Sequence, residues 1–342
     1  VAEVERDYWA GFSDFVLGET WAGGPSPNLK LVGALADELE PPTREHRTWL
    51  ACCYAAIYNT SGTAALYRHW PDPSDVIADP DPAGWIEENR PGMPVHSNRR
   101  RTHGSPRKMA EGLESLARFS MCDYFEPGDD YDMLWDNVHE VSHVGRYFGI
   151  KLAGTLRELG LTEAAQYDIR GNGAKNGRRT LALLYPDEAD SLDMKSGGNS
   201  RRAVLLAEDR AAEVKSWLED ERGLAVDWFQ LEALLCEFNQ MVKGNRYAGK
   251  TSDADYDVLL KAESHFGAEP FAPVRRARER LLPLELVETS KRERLLPVYR
   301  DCGYVWIDGW HDDGATDDPA DPAVRSDKTL KQVPITTPWR GD

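Results

Sequence analysis

Apolar residues recur at intervals of three and four along much of this chain, and that spacing predicts amphipathic α-helices. Met109, Leu113, Leu116 and Ala117 form one series. Leu134, Val138, Val141, Gly145 and Phe148 form a second, and Val204, Ala207, Ala211, Val214 and Leu218 a third. The cleanest is Leu231, Leu234, Leu235, Phe238, Met241 and Val242. The block from Thr43 to Trp70 also reads as helical, with Thr43 as its cap and Glu45 near the positive end of the helix dipole. Within it, Trp49 to Ile57 is apolar nearly all round, which marks a central, buried helix. Runs with strand character are scarce, the best being Tyr304 to Ile307, and no β-α-β alternation points to a parallel sheet. The expectation is a mainly α globular fold with long loops, in which Trp49, Leu50, Ile57, Leu134, Val138, Leu234 and Phe238 are buried.

Breaker residues divide the chain. Gly-Gly-Pro-Ser-Pro at 23 to 27 reads as a turn, and Pro71 to Pro82, with four prolines and four aspartates, as a loop. The C-terminal end is polar and Pro-rich and reads as a tail. The expected organisation is an N-terminal segment, 1–45, packing on the core, a helical domain over 46–300, and a partly irregular extension over 301–342.

Composition narrows the class. With 342 residues, 41% hydrophobic and 29% charged, the chain suits one large globular unit or two smaller ones rather than a disordered chain. No apolar run approaches the ~20 residues of a membrane helix, and Val-Ala-Glu-Val-Glu-Arg at the start lacks the apolar core of a signal peptide. Five cysteines, odd in number and without a C-x-x-C pair, argue against a disulfide scaffold or a zinc ribbon. A reducing cytoplasm is the expected setting, with no membrane partner. The net charge of −17 disfavours a nucleic-acid partner when taken as an average. The bases are segregated, however. Arg99, Arg100, Arg101, Arg107 and Lys108 form one cluster, Arg170, Lys175, Arg178 and Arg179 a second, and Lys243, Arg246 and Lys250 a third. Acids collect elsewhere, in Asp72 to Asp81 and Asp308 to Asp321. Segregated basic patches are compatible with a polyanion; the competing reading is of ordinary solvated faces.

Three stretches carry candidate chemistry. His139-Glu140-Val141-Ser142-His143 matches H-E-x-x-H, which on a helix sets two His one turn apart for zinc and a Glu to activate water. A third ligand would come from Glu158, Glu163 or a distant group. The competing reading makes Val138, Val141 and Phe148 core and the His polar neighbours. The helix from Leu231 to Val242 carries a second, polar stripe of Glu232, Cys236, Asn239, Gln240 and Lys243, suited to reading a base edge or a small ligand. It runs into Lys243-Gly-Asn-Arg246-Tyr247-Ala-Gly-Lys250-Thr251, where glycines permit close approach to a phosphate, though the spacing is not that of a P-loop. Asp253, Asp255 and Asp257 follow, placed to bind a divalent ion or cap the next helix. Finally, Val95 to Met109 is a basic loop entering a helix, with Ser105 as cap and Pro106 at the first helical position. A phosphate there would meet Arg107, Lys108 and free N–H groups.

Four stretches together resemble one family. They are Trp49-Leu-Ala-Cys-Cys-Tyr54-Ala-Ala-Ile-Tyr58-Asn59; Pro94 to Lys108; Val144-Gly-Arg146-Tyr147-Phe-Gly-Ile-Lys151-Leu; and Glu232 to Asp253. Over about residues 45 to 260 the chain resembles the amino acid:DNA transferases of the α-glutamyl/putrescinyl-thymine pyrophosphorylase group. These are largely phage-encoded helical proteins related to the helix-hairpin-helix DNA glycosylases. The H-E-x-x-H motif is a departure from that family. The resemblance implies a glycosylase-like helical fold and a cytoplasmic, phage-encoded enzyme acting in a bacterial host. Its partners would be DNA with modified pyrimidines and an amino acid or polyamine co-substrate. The resemblance implies an enzyme that attaches that amine to an activated 5-hydroxymethylpyrimidine by displacing phosphate or pyrophosphate. It would require no cofactor, with a divalent metal as an option. On this reading Glu237, Asn239, Lys243, Arg246 and Tyr247 line the reactive pocket. Arg99, Arg100, Arg101, Arg107, Lys108, Arg146, Lys151 and Lys250 hold phosphates, and Tyr54 and Tyr58 stack on the flipped base. Two alternatives stand beside it: a DNA glycosylase acting on modified bases, and a zinc hydrolase using His139, Glu140 and His143.

Overall fold

The mainly α expectation holds. The computed structural model describes residues 8–21, 23–24, 26–94, 105–121, 130–142, 145–164, 175–193, 200–242 and 250–282, and these contain fifteen α-helices and no strand. The chain enters through α1 (Tyr8–Trp21) and α2 (Pro27–Leu39), then the buried pair α3 (Arg44–Ile57) and α4 (Thr60–His69). Two short helices, α5 (Pro73–Ala78) and α6 (Pro82–Asn89), lead to α7 (Pro106–Ser120), α8 (Tyr131–His139) and α9 (Arg146–Glu158). Next come α10 (Lys175–Leu184), the one-turn α11 (Ala189–Leu192), the long α12 (Arg201–Arg222) and α13 (Trp228–Val242), followed by α14 (Lys250–Phe266) and α15 (Ala272–Leu281). No helix among the described residues is long and apolar enough to cross a membrane.

Two apolar cores organise these helices. The first gathers side chains from α2 to α9, α14 and α15 around Trp49, Leu50, Leu113, Leu134 and Leu156. The second gathers α1, α10, α12 and α13 around Phe12, Phe15, Leu181, Val214 and Phe238. All seven residues expected in the core are buried. Helix α13 serves both cores. Its Phe229 belongs to the first, lying so close over Gly154 of α9 that an added Cβ would come within 3.3 Å of the ring. Leu231, Leu234, Leu235 and Phe238 of the same helix belong to the second.

Local chemistry explains the helix ends, including three that the apolar period does not mark. Thr43 caps α3 by accepting the His46 N–H, and Ser105 caps α7 by accepting the Lys108 N–H. The block from Thr43 to Trp70 is two helices, not one. Tyr58 adopts a left-handed φ of 60°, and Asn59 starts α4 by accepting the Gly62 N–H at 2.6 Å. The series from Leu134 to Phe148 is likewise divided, since α8 stops at His139 and α9 begins at Arg146. The stretch Pro71 to Pro82, expected as a loop, contains α5. A reciprocal capping box between Asp72 and Asp75, with Pro73 in the first turn, is enough to start it.

That capping box gives a pH prediction. The Ser74 hydroxyl and N–H both donate to Asp72 and hold its carboxyl below the ordinary value of 3.8. A depressed folded-state pKa means that the stabilisation is complete above the unfolded value and is lost as pH falls through the folded one. Asp72→Ala should therefore lower the melting temperature at pH 6, and that difference should shrink in strongly acidic buffer. Parallel thermal melts of the two proteins across that range measure it.

Asp253, Asp255 and Asp257 are expected to bind a divalent ion or cap the next helix, and Asp255 does neither. Asp255 lies inside α14 and is buried. It accepts the Thr60 N–H at 3.0 Å and the Thr60 hydroxyl at 2.7 Å, and it pairs with Arg278 of α15 at 3.0 Å. From inside α14 it thus supports the start of α4 instead of capping α14 itself. Asp257 is half-buried on α14, and the Asp253 side chain lies outside the described residues.

Candidate functional site

The two cores meet along a polar seam, and side chains from four helices converge there. Lys151 stands on α9 in an otherwise apolar run, and Glu232 stands on α13 between Leu231 and Ala233. Their side chains pair at 3.3 Å and are only 11% and 5% exposed. The Lys151 ammonium also sits 5.8 Å from the centroid of the Tyr58 ring. Tyr58 occupies the left-handed region, where a side chain with a Cβ is uncommon and held at a cost of about 1–3 kcal/mol. The surrounding packing therefore holds Tyr58, with its ring beside the Lys151 ammonium, in a conformation it would not adopt unaided. Behind it lies the Tyr54 ring, with centroids 5.3 Å apart.

The polar stripe of α13 continues the seam toward α10. The Asn176 amide donates to Cys236 Sγ at 3.6 Å, and Asn239 donates to Asn176 Oδ1 at 2.9 Å. Thr180 donates to the Leu235 carbonyl at 2.5 Å and ties the same two helices. Burial pushes the Cys236 thiol up to about 11, and the Glu232 carboxylate adds to that rise, so the group stays a neutral thiol at pH 7. Asn239 also faces a cavity of about 390 Å³ between α10, α11 and α13, along with Arg179, Asp190 and Asp193.

The structure redistributes the expected site residues. Lys151 and Tyr58, expected to hold phosphate and to stack, come together. Tyr54 is corrected: its ring is wholly buried between α3 and its neighbours and offers no face to an extruded base. Asn239, expected to read a base edge in a pocket, is buried, donates to Asn176 and lines the cavity between α10, α11 and α13. Glu237 is half-buried on α13. Arg107 and Lys108 are exposed on the first turn of α7, where Arg107 pairs with Glu111 at 3.0 Å. Arg99, Arg100, Arg101, His143, Lys243, Arg246 and Tyr247 lie outside the described residues, as do the side chains of Arg146 and Lys250 and the segment Tyr304 to Ile307.

The zinc geometry loses its helix. His139 is the last residue of α8, and Glu140 follows in a turn, so no continuous helix carries the motif onward. The His139 Nδ1–H donates to the Trp135 carbonyl at 2.7 Å and the ring lies against Trp135. Its edge fills the space a Gly149 side chain would need. Among the described residues no three His, Cys, Asp or Glu side chains are grouped to hold a metal ion.

Glu232, Cys236 and Asn176 belong to the seam but not to the expected catalytic, phosphate-holding or stacking residues, although Glu232 and Cys236 stand on the polar stripe that the sequence marks. The signal for the pair was present. A lone Lys on one apolar helix and a lone Glu on another are each too costly to bury singly, so they call for one another. Asn176 had no comparable signal. No protein-family model, curated protein or solved structure matches the chain.

Proposed function

We propose that this protein is a transferase that attaches an amino acid or amine to an activated 5-hydroxymethylpyrimidine in DNA. The buried Lys151–Glu232 pair beneath Tyr58 carries this reading, because it sets a cation, a carboxylate and an aromatic ring in one seam. Those are the parts the reaction needs. A pyrimidine inside a duplex is out of reach, so it is extruded and held against a ring such as Tyr58. The amine nitrogen attacks the 5-methylene carbon and a C–N bond forms. The C–O bond to phosphate or pyrophosphate breaks, and the leaving group takes that electron pair. The Lys151 ammonium offsets the charge that develops there. The proton shed by the amine passes to a carboxylate, Glu232 or Glu237 on the same helix. Nothing is oxidised or reduced, and the leaving group is already activated, so the step requires no cofactor.

Two further points support the reading. Apolar side chains of the same size often serve a fold as well as a buried ion pair does, which leaves the Lys151–Glu232 pair open to a chemical role. Tyr58, Lys151 and Glu232 also fall in three of the four stretches that resemble the transferase family. Lys243, Arg246 and Tyr247, next in the chain after α13, would add phosphate grip and a second stacking ring.

The test incubates the protein with DNA carrying phosphorylated 5-hydroxymethylpyrimidines and candidate amines, then digests the DNA for nucleoside mass spectrometry. The expected product carries the amine in place of the phosphate. Free base and abasic sites would indicate a glycosylase instead, and unchanged nucleosides with every amine tried would overturn the enzymatic reading.

A further inference from the structure

A second cavity, of about 380 Å³, opens beside the C-terminal half of α4, the opposite end from Tyr58 and Asn59. Its walls are aromatic and fixed. His69 and Trp85 stack in parallel, with centroids 4.0 Å apart and planes 4° from each other. Trp70 meets Trp85 edge-on at 4.8 Å and locks the stack from the core side. Phe266 forms another wall, held by edge contact with His265 at 4.6 Å. It can sit there because Gly92 has no side chain, since a Cβ at that position would lie 2.6 Å from the Phe266 ring. Ala64 and Ala65 contribute only methyl groups, which leaves the volume open.

The polar groups around this volume are few and specific. Arg68 is the one lining residue with a permanent charge. Its carboxylate partner, Glu269, is 3.7 Å away, and the two side chains are 60% and 88% exposed. Such a pair is weak, and an incoming anion displaces it readily. His69 adds no charge at neutral pH, because burial lowers its pKa below 6.5. The carboxylate nearest to it, Asp79, is occupied by the Trp70 indole N–H at 3.0 Å and the Asp81 N–H at 2.9 Å. Asn89 donates to the Trp85 carbonyl at 2.9 Å and lies 3.3 Å from His265 Nε2. These contacts orient its amide and use one donor and one acceptor site out of the two of each that an amide offers.

We infer that this cavity binds a nucleotide, with the base ring on the Trp85–His69 stack, the base edge at Asn89 and the phosphate at Arg68. The lining suits the simpler alternatives less well. A ligand with a primary ammonium finds no carboxylate among the lining residues, and a purely apolar one leaves Arg68 and Asn89 unused. A flat ring with a hydrogen-bonding edge and an anionic group uses all three, and the volume falls in the range of small-ligand sites, roughly 300–1,000 Å³. This site is distinct from the Lys151 seam, and its test does not depend on the transferase reading. The same chemistry has two sources, a free nucleotide or a nucleotide within a DNA strand.

Isothermal titration calorimetry on the full chain tests it, with thymidine 5′-monophosphate, thymidine and ribose 5-phosphate as probes. The nucleotide is expected to bind at one site, with thymidine and ribose 5-phosphate each about tenfold weaker or more, since each lacks one of the two anchors. Arg68→Gln should weaken nucleotide binding about tenfold, and Glu269→Gln, which removes the competing carboxylate, should tighten it a few-fold. Both side chains are exposed, so neither variant threatens the fold. A single-stranded oligonucleotide that displaces the mononucleotide assigns the site to a strand, and failure to displace it assigns the site to a free nucleotide. Absence of nucleotide binding, or binding that Arg68→Gln leaves unchanged, would overturn the assignment.

Discussion

Asp255→Ala is expected to cost about 3–5 kcal/mol of folding stability. Asp255 and Arg278 are 5% and 1% exposed and pair at 3.0 Å. Removing the carboxylate takes a bonded counter-charge from a guanidinium inside the first core. Arg278 would retain the Ser252 carbonyl at 3.2 Å and the Tyr256 ring at 5.1 Å but would lose its 3.0 Å ion pair with Asp255. The start of α4 would lose an acceptor at the same time, because the Thr60 N–H and hydroxyl both point at Asp255. Three helices meet at this one carboxylate, so the damage is not confined to one element. Urea denaturation should show a lower midpoint with an unchanged slope. Asp37→Ala is the control, since its partners Arg47 and Arg280 are at least two-fifths exposed and such pairs contribute about 0–1 kcal/mol. Replacing both buried partners, Asp255→Leu with Arg278→Met, should restore much of the loss, because apolar residues of similar size need no compensation. An Asp255→Ala protein that unfolds at the parental midpoint would show that the pair does not hold these helices together.

The same distinction, between a residue's face and what that face meets, explains how far the sequence could be read. The apolar period identified α7, α12 and α13 and placed Trp49 through Ile57 in the core, because burial acts on every third and fourth residue of a helix. It did not mark the break at Tyr58. Both sides of that break are apolar, and only the Asn59 cap and one strained φ separate them. Nor could it show that the polar stripe of α13 faces inward. Periodicity shows that Glu232, Cys236 and Asn239 share a face, but a face of this kind is equally consistent with solvent and with a buried seam. Which one occurs depends on Lys151 and Asn176, 81 and 63 residues away from their partners in the chain. Tyr54 illustrates the reverse error. An aromatic residue with a hydroxyl suggests a stacking surface, yet on a helix that is apolar all round it is core.

Replacing Lys151 with Met and Glu232 with Leu together is expected to separate stability from function. The two side chains are nearly buried, and an apolar pair of similar volume should leave the fold as stable as the parent or about 1–4 kcal/mol more stable. If the pair serves the proposed reaction, the same protein should modify DNA at least ~10²-fold more slowly, because it has lost the cation facing the leaving group. The loss should fall on kcat more than on KM, since charge on the leaving oxygen develops only in the transition state. Single variants are less informative. Lys151→Met takes the counter-charge from the buried Glu232, which destabilises the fold and confounds any loss of activity. The double variant removes that ambiguity, and melting temperature and nucleoside mass spectrometry can be measured on one preparation. A gain in melting temperature with modification abolished would mean that the chain retains an ion pair its fold does not need. A stable double variant that still modifies DNA at the parental rate would exclude Lys151 and Glu232 from the reaction and require its site to lie elsewhere.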